Sequence, residues 1–230
     1  MLNNILEMID DMTLSECKGR YTNCNGVLIP SVTEILGFFD NEGLINWANG
    51  IGLQGIDNKN ILRAAANYGT ASHDLIERIL KGETIRDNPS TLLFRQWWND
   101  MNNKYNTVRI LGMEERMCNN YYGGTYDLLL EVDGKVVLVD FKTSKSIKYK
   151  YFMQMAAYQG LLQSTKNITV NEIIILHLNK HLRCYGEYKL LLNIPNDNNF
   201  ITMCNNNFLS MVYSYYTTDH IKQLFDQQFK

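Results

Sequence analysis

No CxxC pair occurs among the five cysteines, Cys17, Cys24, Cys118, Cys184 and Cys204. Without one, neither a zinc site nor an iron–sulfur site is indicated. An odd number at scattered positions fits a reduced, cytoplasmic setting. Excess positive charge is also missing, since the formal net charge is −2. A nucleic-acid ligand would therefore meet a local basic patch, not a global field. No apolar run reaches transmembrane length, and the first residues, MLNNILEMIDDM, carry acids and no basic segment. Neither a membrane span nor a secretory signal is expected. No repeat and no low-complexity linker marks a domain boundary.

What is present suits one globular domain. The 230 residues are 45% hydrophobic and 20% charged, enough to bury a sizeable core. The expected organisation is a single domain over 1–230. It would comprise a helical and hairpin region at 1–68, a core at 69–192 and C-terminal helices at 193–230.

Local patterns predict the elements. A short helix is expected over 5–12. A hairpin over Arg20–Ile29 should turn at Asn25-Gly26. Ser31-Val32-Thr33-Glu34 is a capping box, so a helix should follow Pro30. Helices are expected over 43–49, 58–67, Thr70–Leu80 and 90–104. Val108–Cys118, Tyr126–Val132 and Lys135–Lys142 read as strands, the last two flanking Asp133-Gly134. Helical spacing returns over Lys150–Gln163. Glu172–Leu178 and Arg183–Leu192 read as strands, and a helical C-terminus starts near Phe200. The class is α/β (mixed α+β): a central mixed β-sheet containing an antiparallel hairpin, flanked by helices.

The chemistry lies on that hairpin. If Asp133-Gly134 is a two-residue turn, Val132 pairs with Lys135, and the count sets Asp127 opposite Asp140. Opposed residues on one face have Cβ atoms about 5 Å apart. Two carboxylates so placed repel unless a cation lies between them. Lys142, two residues beyond Asp140, projects from the same face. The set offers hard oxygen ligands for Mg²⁺ or Mn²⁺ and one ammonium. The preceding run, Val136-Val137-Leu138-Val139, reads as a central buried strand, so its polar end should face a cleft.

These residues resemble a known series. Gly124-Thr125-Tyr126-Asp127, then Asp140-Phe141-Lys142-Thr143, then Gln154 and Tyr158, are similar to the motifs of PD-(D/E)XK nucleases, and most to the RecB-type exonuclease branch. Gly69-Thr70-Ala71-Ser72-His73 with Ile76-Glu77 matches that branch's helix motif. Pro30-Ser31-Val32-Thr33 resembles a segment of phage nucleases and of the mitochondrial genome-maintenance exonuclease. The resemblance covers roughly residues 30–165. It implies a restriction-endonuclease-like core that hydrolyses DNA with Mg²⁺ or Mn²⁺. The ion would be held by His73, Asp127, Asp140 and the backbone carbonyl of Phe141. Lys142 would orient water, stabilise developing charge or accept a proton. Several relatives carry a four-cysteine iron–sulfur cluster; that grouping is missing here, so no cluster is expected.

Other residues follow by position. Glu77, four residues after His73, would hold that imidazole or a second ion through water. Gln154 and Tyr158 would flank the site and help place DNA or catalytic groups. Lys145, Lys148 and Lys150, interleaved with Tyr149 and Tyr151, would cradle the DNA backbone. Trp97 and Trp98 are candidates for base stacking, with at least one expected in the core. Glu114 and Glu115 receive no role, and His177, His181 and His220 read as structural. Met153, Ala156, Ala157 and Leu161 read as core. The implied activity is exonucleolytic, from DNA ends, in phage or host DNA recombination, repair or processing. A recombination or replication protein partner and the host cytoplasm would go with it. Alternatives are a structure- or sequence-specific endonuclease with the same core, or a catalytically idle DNA-binding module.

Overall fold

The computed structural model describes residues 21–38, 53, 55 and 57–229. The helices expected over 5–12 and 43–49 lie outside them. The described residues open with β1 (Tyr21–Thr22), β2 (Leu28–Ile29) and α1 (Val32–Phe38). Two helices follow, α2 (Asn58–Leu80) and α3 (Pro89–Lys104). Next come β3 (Val108–Cys118), β4 (Gly123–Val132), β5 (Lys135–Lys142) and α4 (Tyr149–Lys166). The chain closes with β6 (Glu172–His177), β7 (Gly186–Leu191) and α5 (Pro195–Phe229).

Strands β3 to β7 form one sheet in sequence order. Every neighbouring pair is antiparallel except β5 and β6. That pair is parallel because α4 carries the chain back across the sheet between them. Residues 137–141 of β5 and all of β6 are buried, as expected for strands covered on both faces. On one face Leu128, Leu130, Val137, Val139 and Phe141 pack with Ile76 of α2 and with Phe94 and Trp97 of α3. On the other, Leu129, Leu138, Ile173 and Ile175 pack under α1, α4 and α5. The result is a mixed α/β layer structure with helices on both sides.

The turn at Asp133-Gly134 has φ of +46° and +79°. Two positive φ values in succession are what a tight right-twisted hairpin requires, and Asp-Gly supplies them at low cost. The register then runs from Val132↔Lys135 to Leu128↔Val139, as counted from the sequence. The capping box is also present: Ser31 Oγ accepts the Glu34 N–H and the Glu34 carboxylate accepts the Ser31 N–H.

Several boundaries differ from expectation. The helices predicted over 58–67 and 70–80 are one helix, α2, capped by Asp57 and running through Gly69. A lone helical glycine costs about 1 kcal/mol relative to alanine, which does not break a helix anchored by packing. β4 starts at Gly123 instead of Tyr126, because Gly123 pairs with Cys118 and donates its N–H to the Pro30 carbonyl. β7 starts at Gly186, not Arg183, and α5 starts at Pro195, not Phe200.

A polar network sets the position of α2. Ser72 Oγ donates to the Tyr68 carbonyl and accepts from Asn88 Nδ2. Ser90 Oγ bonds to the Tyr68 hydroxyl and donates to the Leu178 carbonyl beyond β6. The residue after Ser72 is thereby held at the end of the sheet.

Candidate active site

The β4–β5 ladder stops at Leu128↔Val139, and the next residues are Asp127 and Asp140. There the backbone bonds to a side chain: the Phe141 N–H donates to Asp127 Oδ2 at 2.6 Å. Lys142 Nζ lies 2.6 Å from Asp140 Oδ2. From α2, His73 brings Nδ1 to 3.4 Å from Asp127 Oδ1. Its Nε2 is 3.0 Å from the Phe141 carbonyl oxygen, which can only accept, so Nε2 carries a proton. His73, Asp127, Asp140 and Lys142 therefore converge around the backbone of Phe141, although His73 and Asp140 are far apart in the sequence.

Burial and charge compete here. Burial raises Asp127, but the neighbouring His73, Lys142 and the Phe141 N–H outweigh it and hold the carboxyl below its usual range. Burial also raises Asp140, Asp127 adds repulsion, and Lys142 only partly offsets them, so the group sits at about 6. Burial lowers His73, yet the charge and hydrogen bond of Asp127, with Asp140 behind, push it up to about 9. Without an ion the imidazole is a cation at neutral pH. Burial would also lower Lys142, but Asp140 and Asp127 raise it above its ordinary value. The proton-acceptor role needs the opposite direction, so in the ion-free site Lys142 is a positive charge held between carboxylates.

Asp140 is 1% exposed, and neither of its carboxylate oxygens accepts a hydrogen bond of ordinary geometry. Oδ2 has the Lys142 ion pair; Oδ1 has no donor among the described residues. A buried carboxylate oxygen without a partner is costly, and a cation relieves that cost. The donors around it, carboxylates and one imidazole, fit a hard divalent ion such as Mg²⁺ or Mn²⁺.

No family model matches the chain, and no curated protein matches it. Solved structures do show likeness. The crystal structure of SSO0001 is 15% identical, with 91% of this chain and 83% of that one covered, at a TM-score of 0.38. A phage related exonuclease from Haemophilus somnus 129PT is 13% identical, with 67% and 83% covered, at a TM-score of 0.33. An alkaline exonuclease (LHK-Exo) from Laribacter hongkongensis is 14% identical, with 67% and 85% covered, at a TM-score of 0.30. At these scores the likeness assigns no activity.

Other expected residues fall in several places. Gln154 and Tyr158 are buried on α4, with Gln154 Nε2 donating to the Tyr158 hydroxyl at 2.8 Å. Burial raises the Tyr158 phenol, and the charges of Asp140 and Asp127 add to it, so the pair borders the carboxylates. Gly124 leaves the space that Tyr158 fills, since a Cβ there would collide with the Tyr158 ring. Glu77 does not hold the His73 imidazole: its carboxylate pairs with Lys81 at 2.7 Å, while His73 turns toward Asp127. The i, i+4 spacing that suggested a His73–Glu77 pair serves Glu77–Lys81 equally well. Lys145 and Lys148 are exposed on the loop after β5, and Lys150 is half-buried at the start of α4. That loop is anchored from β6. His177 Nε2 bonds to the Ser144 carbonyl, and beyond it Asn179 donates to the carbonyls of Thr143 and Ser144. Tyr151 lies against Lys142, whose ammonium is 4.9 Å from the ring centre. Trp97 is core, with its indole N–H donating to Glu187. Trp98 packs on Phe94.

One site residue went unrecognised. Glu114 Oε1 lies 3.9 Å from His73 Nδ1, and burial with the nearby Asp127 raises its carboxyl to about 7. Its strand was predicted, but the β3–β4 loop has no two-residue turn from which a register could be counted. Ligand atoms of His73, Glu114 and Asp127 all lie within 4.8 Å of one another.

Proposed function

We propose that this protein is a divalent-metal-dependent deoxyribonuclease of the PD-(D/E)XK type, cutting DNA phosphodiester bonds from the ends. The observation that carries this reading is the buried, unsatisfied Asp140 carboxylate in contact with Lys142 and beside Asp127 and His73. A purely structural or DNA-binding module has no use for such a group. His73, Asp127, Asp140 and the Phe141 carbonyl are the residues proposed to hold the ion. When bound, the ion polarises the scissile phosphate and makes water a better nucleophile.

The chain's own groups do the rest in this proposal. Lys142 remains protonated and lies where it stabilises charge developing on phosphate oxygens. Phe141, through both its N–H and its carbonyl, ties Asp127 and His73 into one rigid unit. Gln154 and Tyr158 wall the site on the α4 side. Lys145, Lys148 and Lys150, with the exposed Tyr149, form the proposed backbone cradle. These contacts carry no sequence information directly, which suits an enzyme that follows a strand instead of reading it. Residues 1–230 are proposed to form a single domain with its catalytic core in 69–192. The phage, recombination and repair setting, a recombination or replication protein partner and a cytoplasmic location rest on the motif resemblance. Among the described residues, no helix is long and apolar enough to cross a membrane.

End-dependence is tested with one DNA in two forms. Mononucleotides or short oligomers are expected from the linear fragment, single- or double-stranded, and no product from the covalently closed circle. Internal cuts in the circle at a comparable rate would replace the exonuclease reading by the endonuclease one.

The ligand role of His73 has its own test. His73→Ala is expected to shift the metal titration to higher concentration. Part of the activity should return at high Mn²⁺, because Mg²⁺ demands near-ideal octahedral geometry and dehydrates reluctantly, so it tolerates a damaged site less well. An unchanged titration removes His73 from the ligand set.

A further inference from the structure

Glu114 is the only residue of β3 with a left-handed backbone, at φ +48°. Asparagine or glycine would occupy that conformation at lower cost, so a long acidic residue there needs a reason. The flanking register leaves no slack: Met113 pairs with Leu128 and Glu115 with Tyr126. The count therefore sets Glu114 beside Asp127. Glu115 turns away, to the Tyr126 hydroxyl and the Lys166 ammonium. Glu114 turns toward His73.

Three donor atoms meet there. Glu114 Oε1 and Asp127 Oδ1 lie 3.9 Å and 3.4 Å from His73 Nδ1. Donors about 2.1 Å from one octahedral ion lie roughly 3–4 Å from each other, so the spacing needs little adjustment. The other ring nitrogen is already committed to the Phe141 carbonyl. A ligating histidine is commonly oriented in this way, with one nitrogen on the ion and the other bonded to a carbonyl. A separate observation points to a cation nearby: Asp140, whose charge acts on both His73 and Glu114, has a buried and unpartnered Oδ1.

We propose that Glu114 is a direct ligand of the divalent ion, and that His73 ligates through Nδ1 while the Phe141 carbonyl orients its ring. This rests on the metal-dependent reading above, extends its ligand set to a third strand and takes the Phe141 carbonyl out of that set, because an oxygen bonded to Nε2 lies across the ring from an ion on Nδ1.

The test is Mn²⁺ binding to the metal-free full-length protein without DNA, followed by calorimetry and by the paramagnetic signal of free Mn²⁺. Glu114→Gln keeps the shape and removes the charge; Glu114→Asn also suits the left-handed backbone, and circular dichroism checks both folds. Each is expected to weaken Mn²⁺ binding at least tenfold. Asp127→Asn serves as the reference loss. If both Glu114 variants bind as the wild type does while Asp127→Asn does not, Glu114 is no ligand and the metal-dependent reading stands. If the wild type itself binds no Mn²⁺ at millimolar concentration, that reading falls and the proposal falls with it.

Discussion

Asp140→Asn is expected to abolish cleavage and, in the same protein, to raise the melting temperature measured without metal. The two effects share one cause. The Asp140 carboxyl is buried and raised to about 6, above its ordinary value near 4. A carboxyl with a raised folded-state pKa favours the fold while protonated. That contribution is intact below about pH 4 and is lost as the pH rises through about 6. At neutral pH the metal-free protein therefore carries a cost on the order of 3 kcal/mol at this position. Asparagine removes the charge at nearly constant volume and so removes the cost. It also removes a proposed ligand, so turnover should fall to background with Mg²⁺ or Mn²⁺ supplied. Melting curves at pH 5 and pH 8 check the stability part: the gain over wild type should be larger at pH 8. Near wild-type cleavage by the purified variant would remove Asp140 from the site.

Lys142→Met is expected to lose about 10²–10³ in turnover while DNA affinity changes less than tenfold. The methionine keeps most of the buried stem and deletes the ammonium. That ammonium has two carboxylates and the Tyr151 ring around it, so its charge is held in place before substrate arrives. A preorganised charge acts on the transition state, whereas one phosphate contact among several contributes little to binding. Single-turnover cleavage beside an equilibrium binding titration separates the two. A loss seen wholly as weaker binding at unchanged turnover would move Lys142 to the DNA cradle.

Much of the site is legible before any coordinates. The Asp-Gly turn dictates the register of β4 and β5, because side chains alternate with period two and a two-residue turn leaves no slack. That register sets Asp127 and Asp140 at the same level and puts Lys142 on the face of Asp140. The buried run from Val137 to Val139 marks a central strand in the same way. The motif Gly69 to Glu77 marks its helix, and the His73 contact with Asp127 follows the resemblance, not local rules.

Other features depend on longer range. Nothing local joins 58–67 to 70–80, yet α2 runs straight through Gly69 because packing outweighs one glycine. Glu77 and His73 share a helix face, but where each turns depends on Lys81 and on the carboxylates of β4. Glu114 belongs to β3, whose loop into β4 carries no turn signal, so its approach to His73 emerges only when the strands pair. Charge states belong to the same level. By itself the sequence determined the hairpin, its register and the residue types at its end, since these follow from turn chemistry and alternation. Only the tertiary structure decided which groups are buried and which carboxylates surround them: burial leaves Asp140 unsatisfied, while Asp127 and Asp140, against burial, keep Lys142 charged and make His73 a cation.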